Sequence, residues 1–136
     1  MNEQKKRLFL IKIAYWLGIV ADALWAVGLF FPQIYGMLMG NPDFDPDLPT
    51  RLIMGIGGIL MTGWTFLLLW AVREPIERRT VILLTASVVI GMFIVTLIGI
   101  LGGNTSSIWI LIKTTILFIS MVISYIIAGK MDRDKE

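Results

Sequence analysis

Four apolar runs, each about as long as a bilayer is thick, leave a chain of 136 residues few ways to fold. They cover residues 8–31, 52–72, 81–101 and 108–128. A helix rising ~1.5 Å per residue needs about 20 residues to cross ~30 Å of hydrocarbon, and every run meets that length. Backbone polar groups in hydrocarbon must be satisfied within the chain, which makes helices the natural form for such runs. A soluble protein this short could not cover four buried helices. Only 16% of the residues are charged, against about a quarter in an ordinary soluble domain. The expected fold is therefore all-α, a four-helix transmembrane bundle occupying residues 1–136 as a single integral membrane domain.

The basic residues predict orientation. Lys5, Lys6 and Arg7 precede the first run, Arg73, Arg78 and Arg79 separate the second and third, and Lys130, Arg133 and Lys135 follow the fourth. The two opposite connections hold only Arg51, a ratio of nine to one. Both termini and the middle connection are thus expected in the cytoplasm (N-in/C-in). Tyr15, Trp16, Trp70 and Tyr125 would mark the inner interface, and Tyr35, Phe44 and Trp109 the outer one. Lys12 then reads as a snorkelling residue at the inner boundary. The first run exceeds the roughly 7–15 apolar residues of a signal core and no Ala-x-Ala site follows, so it is expected to persist as an anchor.

The absence of Cys and His excludes thiol chemistry, Cys/His zinc sites, His-ligated haem and a Ser-His-Asp mechanism. No metal, cofactor or catalytic residue is expected. The net charge of +2 does not point to nucleic acid, because the cations lie in short clusters between apolar runs.

Asp22 is the most informative residue. An ionised carboxylate at mid-bilayer costs about 3 kcal/mol on insertion scales, so it must be neutral, paired or hydrated. On a helix it shares a face with Tyr15, Gly18, Trp25 and Leu29, a smaller and more polar face that should point into the bundle. Thr62 and Gly91 fall at a similar depth when counted at ~1.5 Å per residue. Lys113, five residues into the fourth run, reads as an anchor snorkelling outward or as an ion-pair partner of Asp22. Asp22, Trp25, Thr62 and Lys113 are the candidate ligand or proton site; the alternative is that Asp22 only locks helices together.

Small residues suggest helix packing. Gly55, Gly58 and Thr62 form one stripe in the second run, Ser87 and Gly91 lie four apart in the third, and Ser120 and Ser124 in the fourth. The short connection 73–80 predicts that the second and third helices are antiparallel neighbours. Gly102 and Gly103 are suited to end the third helix, and Thr105 to Ser107 to cap the fourth. The first outer connection divides into an apolar part, 34–40, expected along the interface, and a Pro/Asp turn region, 41–50. Asp43, Asp45 and Asp47 alternate as in a calcium loop, but Leu48 stands where that loop needs Gly and Met54 where it needs Glu. The Asn104-Thr105-Ser106 sequon sits too close to the membrane to serve as a glycosylation site.

Leu24-Trp25-Ala26 with Phe31-Pro32-Gln33, and Met61-Thr62-Gly63-Trp64-Thr65 through Leu69-Trp70-Ala71, Pro75 and Glu77-Arg78-Arg79, resemble a family of small uncharacterised prokaryotic four-span membrane proteins. The resemblance covers the first two runs and the middle connection, and implies a multi-pass protein of a prokaryotic plasma membrane. In plan the chain is also similar to small multidrug resistance transporters, which have four short spans and one acid in the first, although Asp22 stands here in place of their Glu. Two functions follow as expectations. One is a non-enzymatic bundle binding a small apolar or lipid-like ligand, or a membrane partner. The other is a small proton- or ion-coupled transporter that uses Asp22 across a homodimer. Besides the lipid bilayer, the candidate associations are a homodimer or a membrane-protein partner, and not nucleic acid.

Overall fold

A computed structural model describes residues 3–103 and 108–133. These residues form five helices and no strand: α1 (Glu3–Phe30), α2 (Pro32–Leu38), α3 (Leu48–Ala71), α4 (Arg79–Leu101) and α5 (Ile108–Arg133). The four long helices have the length and hydropathy to cross a membrane and coincide with the four apolar runs. The short α2 lies in the apolar part of the connection between α1 and α3.

Local chemistry sets the boundaries. Pro32 disfavours helical backbone at the residue before it, and Phe31 is extended, at φ −119° and ψ 95°, which ends α1. Pro32 then opens α2, where its missing N–H costs nothing. The chain turns back at Gly40, whose φ of +72° suits glycine. The Asn41 amide donates to the Gly36 carbonyl at 2.8 Å. Gly36 meets the Asn41 carbonyl and the Phe44 Cβ so closely that no side chain fits there. Asp47 caps α3 by accepting from the Thr50 amide at 3.1 Å. Gly102 and Gly103, the latter at φ +94°, follow α4 as expected. The Thr105–Ser107 cap and the Asn104 sequon lie outside the described residues, as does the Trp109 side chain.

At the end of the bundle rich in Lys and Arg, hereafter the basic end, the 72–78 connection is held to its neighbours. Arg78 lies 3.7 Å over the Trp70 ring, donates to the Trp70 carbonyl at 2.6 Å and pairs with Glu74. The buried Tyr15 hydroxyl donates to the Arg78 carbonyl at 3.0 Å, tying α1 to the connection. Arg79 and Asp132 pair at 2.9 Å and bring the start of α4 to the end of α5.

The core gathers toward this end. Ile11, Tyr15 and Ile19 of α1 meet Leu68 and Ala71 of α3, with Val81, Ile82, Ala86 and Val89 of α4 and Met121 and Ala128 of α5 completing it. α1 is the central element, packed against both α3 and α5, while α4 packs on α5. The short connection does not make α3 and α4 close neighbours. They touch sparsely, and the bond between them is the Trp64 indole N–H donating to Thr85 at 3.0 Å. Loop length limits where the ends lie, but α1 takes the α3 face that α4 would have needed.

The small residues divide accordingly. Gly58 is buried against the Phe30 ring and Gly57 lies against Leu29, whereas Gly55 meets open space. The close approach of α3 to α1 therefore uses Gly57 and Gly58 rather than a stripe through Gly55. Ser87 and Gly91 lie on the exposed side of α4, and a Cβ added at Gly91 would meet nothing within 4 Å among the described residues, so the helix packing expected of them is not seen there. Ser124 is buried, and the half-buried Ser120 donates to the Leu117 carbonyl at 2.8 Å.

Candidate functional site

Bordering the core at Val89, α1, α4 and α5 line a cavity of about 430 Å³. Helical spacing decides what reaches it. α1 contributes Asp22 and Trp25, α4 contributes Thr85, Val89 and Met92, and α5 contributes Ile110, Thr114 and Leu117. Asp22, Thr85, Val89 and Thr114 are buried and form the floor. Val20, Leu24 and Ile116 are exposed aliphatic residues on the rim.

The α1–α2 turn borders the cavity. Leu38 of α2 reaches the lining beside Trp25. The Tyr35 ring lies 6.0 Å from that of Trp25 and 5.3 Å from that of Phe44, giving a stack of three tilted rings. This packing follows from Pro32, which starts the return, and Gly36, which lets it fold tightly.

The polar groups of the floor are unequally satisfied. The Thr85 hydroxyl donates to the Val81 carbonyl at 2.8 Å and accepts from Trp64. The Thr114 hydroxyl donates to the Ile110 carbonyl at 2.6 Å. Asp22 is only 9% exposed, and its Oδ2 is buried without a hydrogen-bond partner among the described residues. A buried polar atom left unsatisfied costs roughly 1–3 kcal/mol, so this oxygen is the point of highest chemical demand in the cavity. A lone carboxylate among aliphatic groups can accept hydrogen bonds or balance a cation. Paired-carboxylate chemistry would need a second acid, and the lining holds only Asp22.

The structure brings three of the four sequence candidates together. Asp22, Trp25 and Lys113 all line the cavity. Lys113 is exposed and makes no ion pair with Asp22. Thr62 does not line the cavity; its hydroxyl donates to the Gly58 carbonyl at 2.8 Å. Its depth along α3 matches that of Asp22, but α3 supplies no lining residue. Thr85 and Thr114 take the place foreseen for it. The signal available in the sequence was weak: Thr85 lies two residues from Ser87 and Thr114 adjoins Thr115, and depth along a helix does not reveal which hydroxyl turns inward.

Comparison with known proteins finds no matching family model, no matching curated protein and no matching solved structure. The fold and the cavity define a class: a multi-pass integral membrane protein, built as a helical bundle with an acid-bearing apolar cavity.

Proposed function

We propose that this protein is a non-enzymatic membrane protein that binds a small apolar or lipid-like ligand in the cavity between α1, α4 and α5. The observation that carries the reading is the cavity itself. At about 430 Å³ it falls within the ~300–1,000 Å³ range of small-molecule sites, and it joins aliphatic walls to a few convergent polar groups, as such sites do. The nine-to-one distribution of basic residues supports a cytoplasmic location for both termini. The resemblance carried by the first two spans supports a prokaryotic plasma membrane. On this reading the chain needs no metal or cofactor.

The test is ligand binding to the full chain in lipid nanodiscs, followed through the methyl carbon of ¹³C-labelled Met92 in the lining. Octanol is expected to shift that resonance saturably, and Ala21→Phe, which fills the lining from α1, to abolish the effect. A shift that grows linearly with octanol, as unsaturable partitioning into lipid would give, refutes the reading.

A second reading is favoured by the unpartnered oxygen of Asp22: a small proton- or ion-coupled transporter in which Asp22 carries the coupled cation, working as a homodimer. Reconstituted vesicles holding a pH-sensitive dye test it. An imposed gradient must collapse faster with the wild-type chain than with Asp22→Asn, and equal rates exclude it.

A further inference from the structure

The chemistry of the cavity floor narrows the ligand further than its size does. The hydroxyl protons of Thr85 and Thr114 are already donated to Val81 and Ile110 within their own helices, and Thr85 additionally accepts from Trp64. What these hydroxyls still offer is lone pairs. Asp22 adds a carboxyl whose Oδ2 is buried and unpartnered. The three buried polar side chains of the lining therefore present acceptors. The remaining donors are on the half-buried Trp25 and the exposed Lys113, and Lys113 is not paired with Asp22.

We infer that the ligand is a primary alkylamine or a lipid-like molecule ending in one: an aliphatic tail along Val20, Leu24 and Ile116, with its ammonium group donating to Asp22 and the two threonines. This rests on the cavity-binding reading above and specifies its ligand. A primary ammonium group suits the floor in two ways. It brings three N–H donors to a surface of acceptors. It also brings the opposite charge that an ionised carboxylate needs in an apolar site, where an unpaired charge is strongly disfavoured. A neutral alcohol supplies one donor and no charge. A quaternary ammonium supplies charge but no donor, and its methyl groups would hold the nitrogen away from the Asp22 oxygen. A carboxylate head would set like charge against Asp22. Discrimination by donors is thus the signature of this floor, since charge alone would favour primary and quaternary ammonium alike.

Probes sharing one tail separate these possibilities. Octylamine, octyltrimethylammonium, octanol and octanoate are titrated into the full chain in neutral-lipid nanodiscs at pH 7, with the Met92 methyl resonance as readout. Octylamine is expected to bind at least about tenfold more tightly than octanol or octyltrimethylammonium, a difference typical of charge-assisted hydrogen bonds. In Asp22→Asn that preference should fall to within about twofold, with an unchanged helical circular-dichroism spectrum and SDS-unfolding midpoint showing that the variant remains folded; a preference kept in the folded variant overturns the inference. Lys113→Gln should keep the preference, and its loss there would overturn the inference by making Lys113 the organising group. Equal affinity for octylamine and octanol leaves the cavity reading standing and overturns the amine assignment, as does equal affinity for octylamine and octyltrimethylammonium. No saturable shift with any probe overturns both.

Discussion

Gly18 and Gly58 offer a matched test of how tightly α1 is held, because an added methyl meets a neighbour at the same distance in both. At Gly18 a Cβ would lie 3.1 Å from the Met121 Cε and 3.2 Å from the Leu68 Cδ1. At Gly58 it would lie 3.1 Å from the Cζ of Phe30 and 3.2 Å from each of its Cε atoms. Comfortable carbon–carbon contacts are ~3.5–4.0 Å, so something must yield by a few tenths of an ångström at either site. What differs is freedom to yield. Met121 and Leu68 are 2% and 0% exposed, whereas Phe30, the last residue of α1, is 46% exposed and can turn outward. Both sites lie within long helices, so the gain in helix propensity from Gly to Ala, up to ~1 kcal/mol, is common to both and cancels in the comparison. Overpacking that cannot relax costs about 1–3 kcal/mol. Gly58→Ala should therefore be neutral or mildly stabilising, and Gly18→Ala less stable than it by about 1–2 kcal/mol. Reversible unfolding in mixed micelles by increasing SDS, followed by tryptophan fluorescence, measures both. Shortening Met121 to alanine in the Gly18→Ala background should show favourable coupling. A Gly18→Ala protein as stable as Gly58→Ala would refute the packing at the centre of the bundle.

Other outcomes follow from single bonds and from the charge pattern. Tyr15→Phe removes the buried donor to Arg78 and should cost about 1 kcal/mol, with faster amide exchange in the 72–78 connection. Trp64→Phe breaks the bond between α3 and α4; a cycle with Thr85→Val should return a coupling near 1 kcal/mol, and zero coupling would mean the indole bonds elsewhere. Hydrogen bonding from Thr50, through its side chain and then its backbone amide, lowers the Asp47 pKa. That capping contribution is therefore present above the ordinary aspartate value, ~3.9, and lost as pH falls through the lowered one, which amide exchange at Thr50 would detect. Reporters fused after Lys130 and within 73–79 should read cytoplasmic and one after Asp45 external; a C-terminus on the Asp45 side would change the number of spans.

Length and apolarity made the four spans legible, and Lys and Arg divided the connections into two sets. Pro32 and Asp47 set where the chain breaks and restarts, since each acts on its own backbone. Faces were harder to read. In a soluble helix the polar side identifies itself, but α4 and α5 are apolar nearly all round, because their outward sides meet hydrocarbon rather than water. Asp22 and Trp25 both line the cavity, and one acid beside small residues is what breaks that uniformity. Ser87 and Gly91 offered the same kind of cue and lie on the exposed side, since a small residue permits a close approach without requiring one. Thr62 was matched to Asp22 by depth alone, but no residue of α3 reaches the cavity.

The ring stack of Trp25, Tyr35 and Phe44 meets the cavity through Trp25, beside Leu38. Val20, Leu24 and Ile116 stand exposed along its rim. On the proposed ligand-binding reading, a ligand entering past that rim would come from a two-dimensional reservoir, and its mole fraction in the bilayer would set occupancy, not its concentration in water. Adding protein-free lipid at constant total ligand would empty the site. For a ligand retained in the bilayer, doubling the aqueous volume would leave occupancy unchanged.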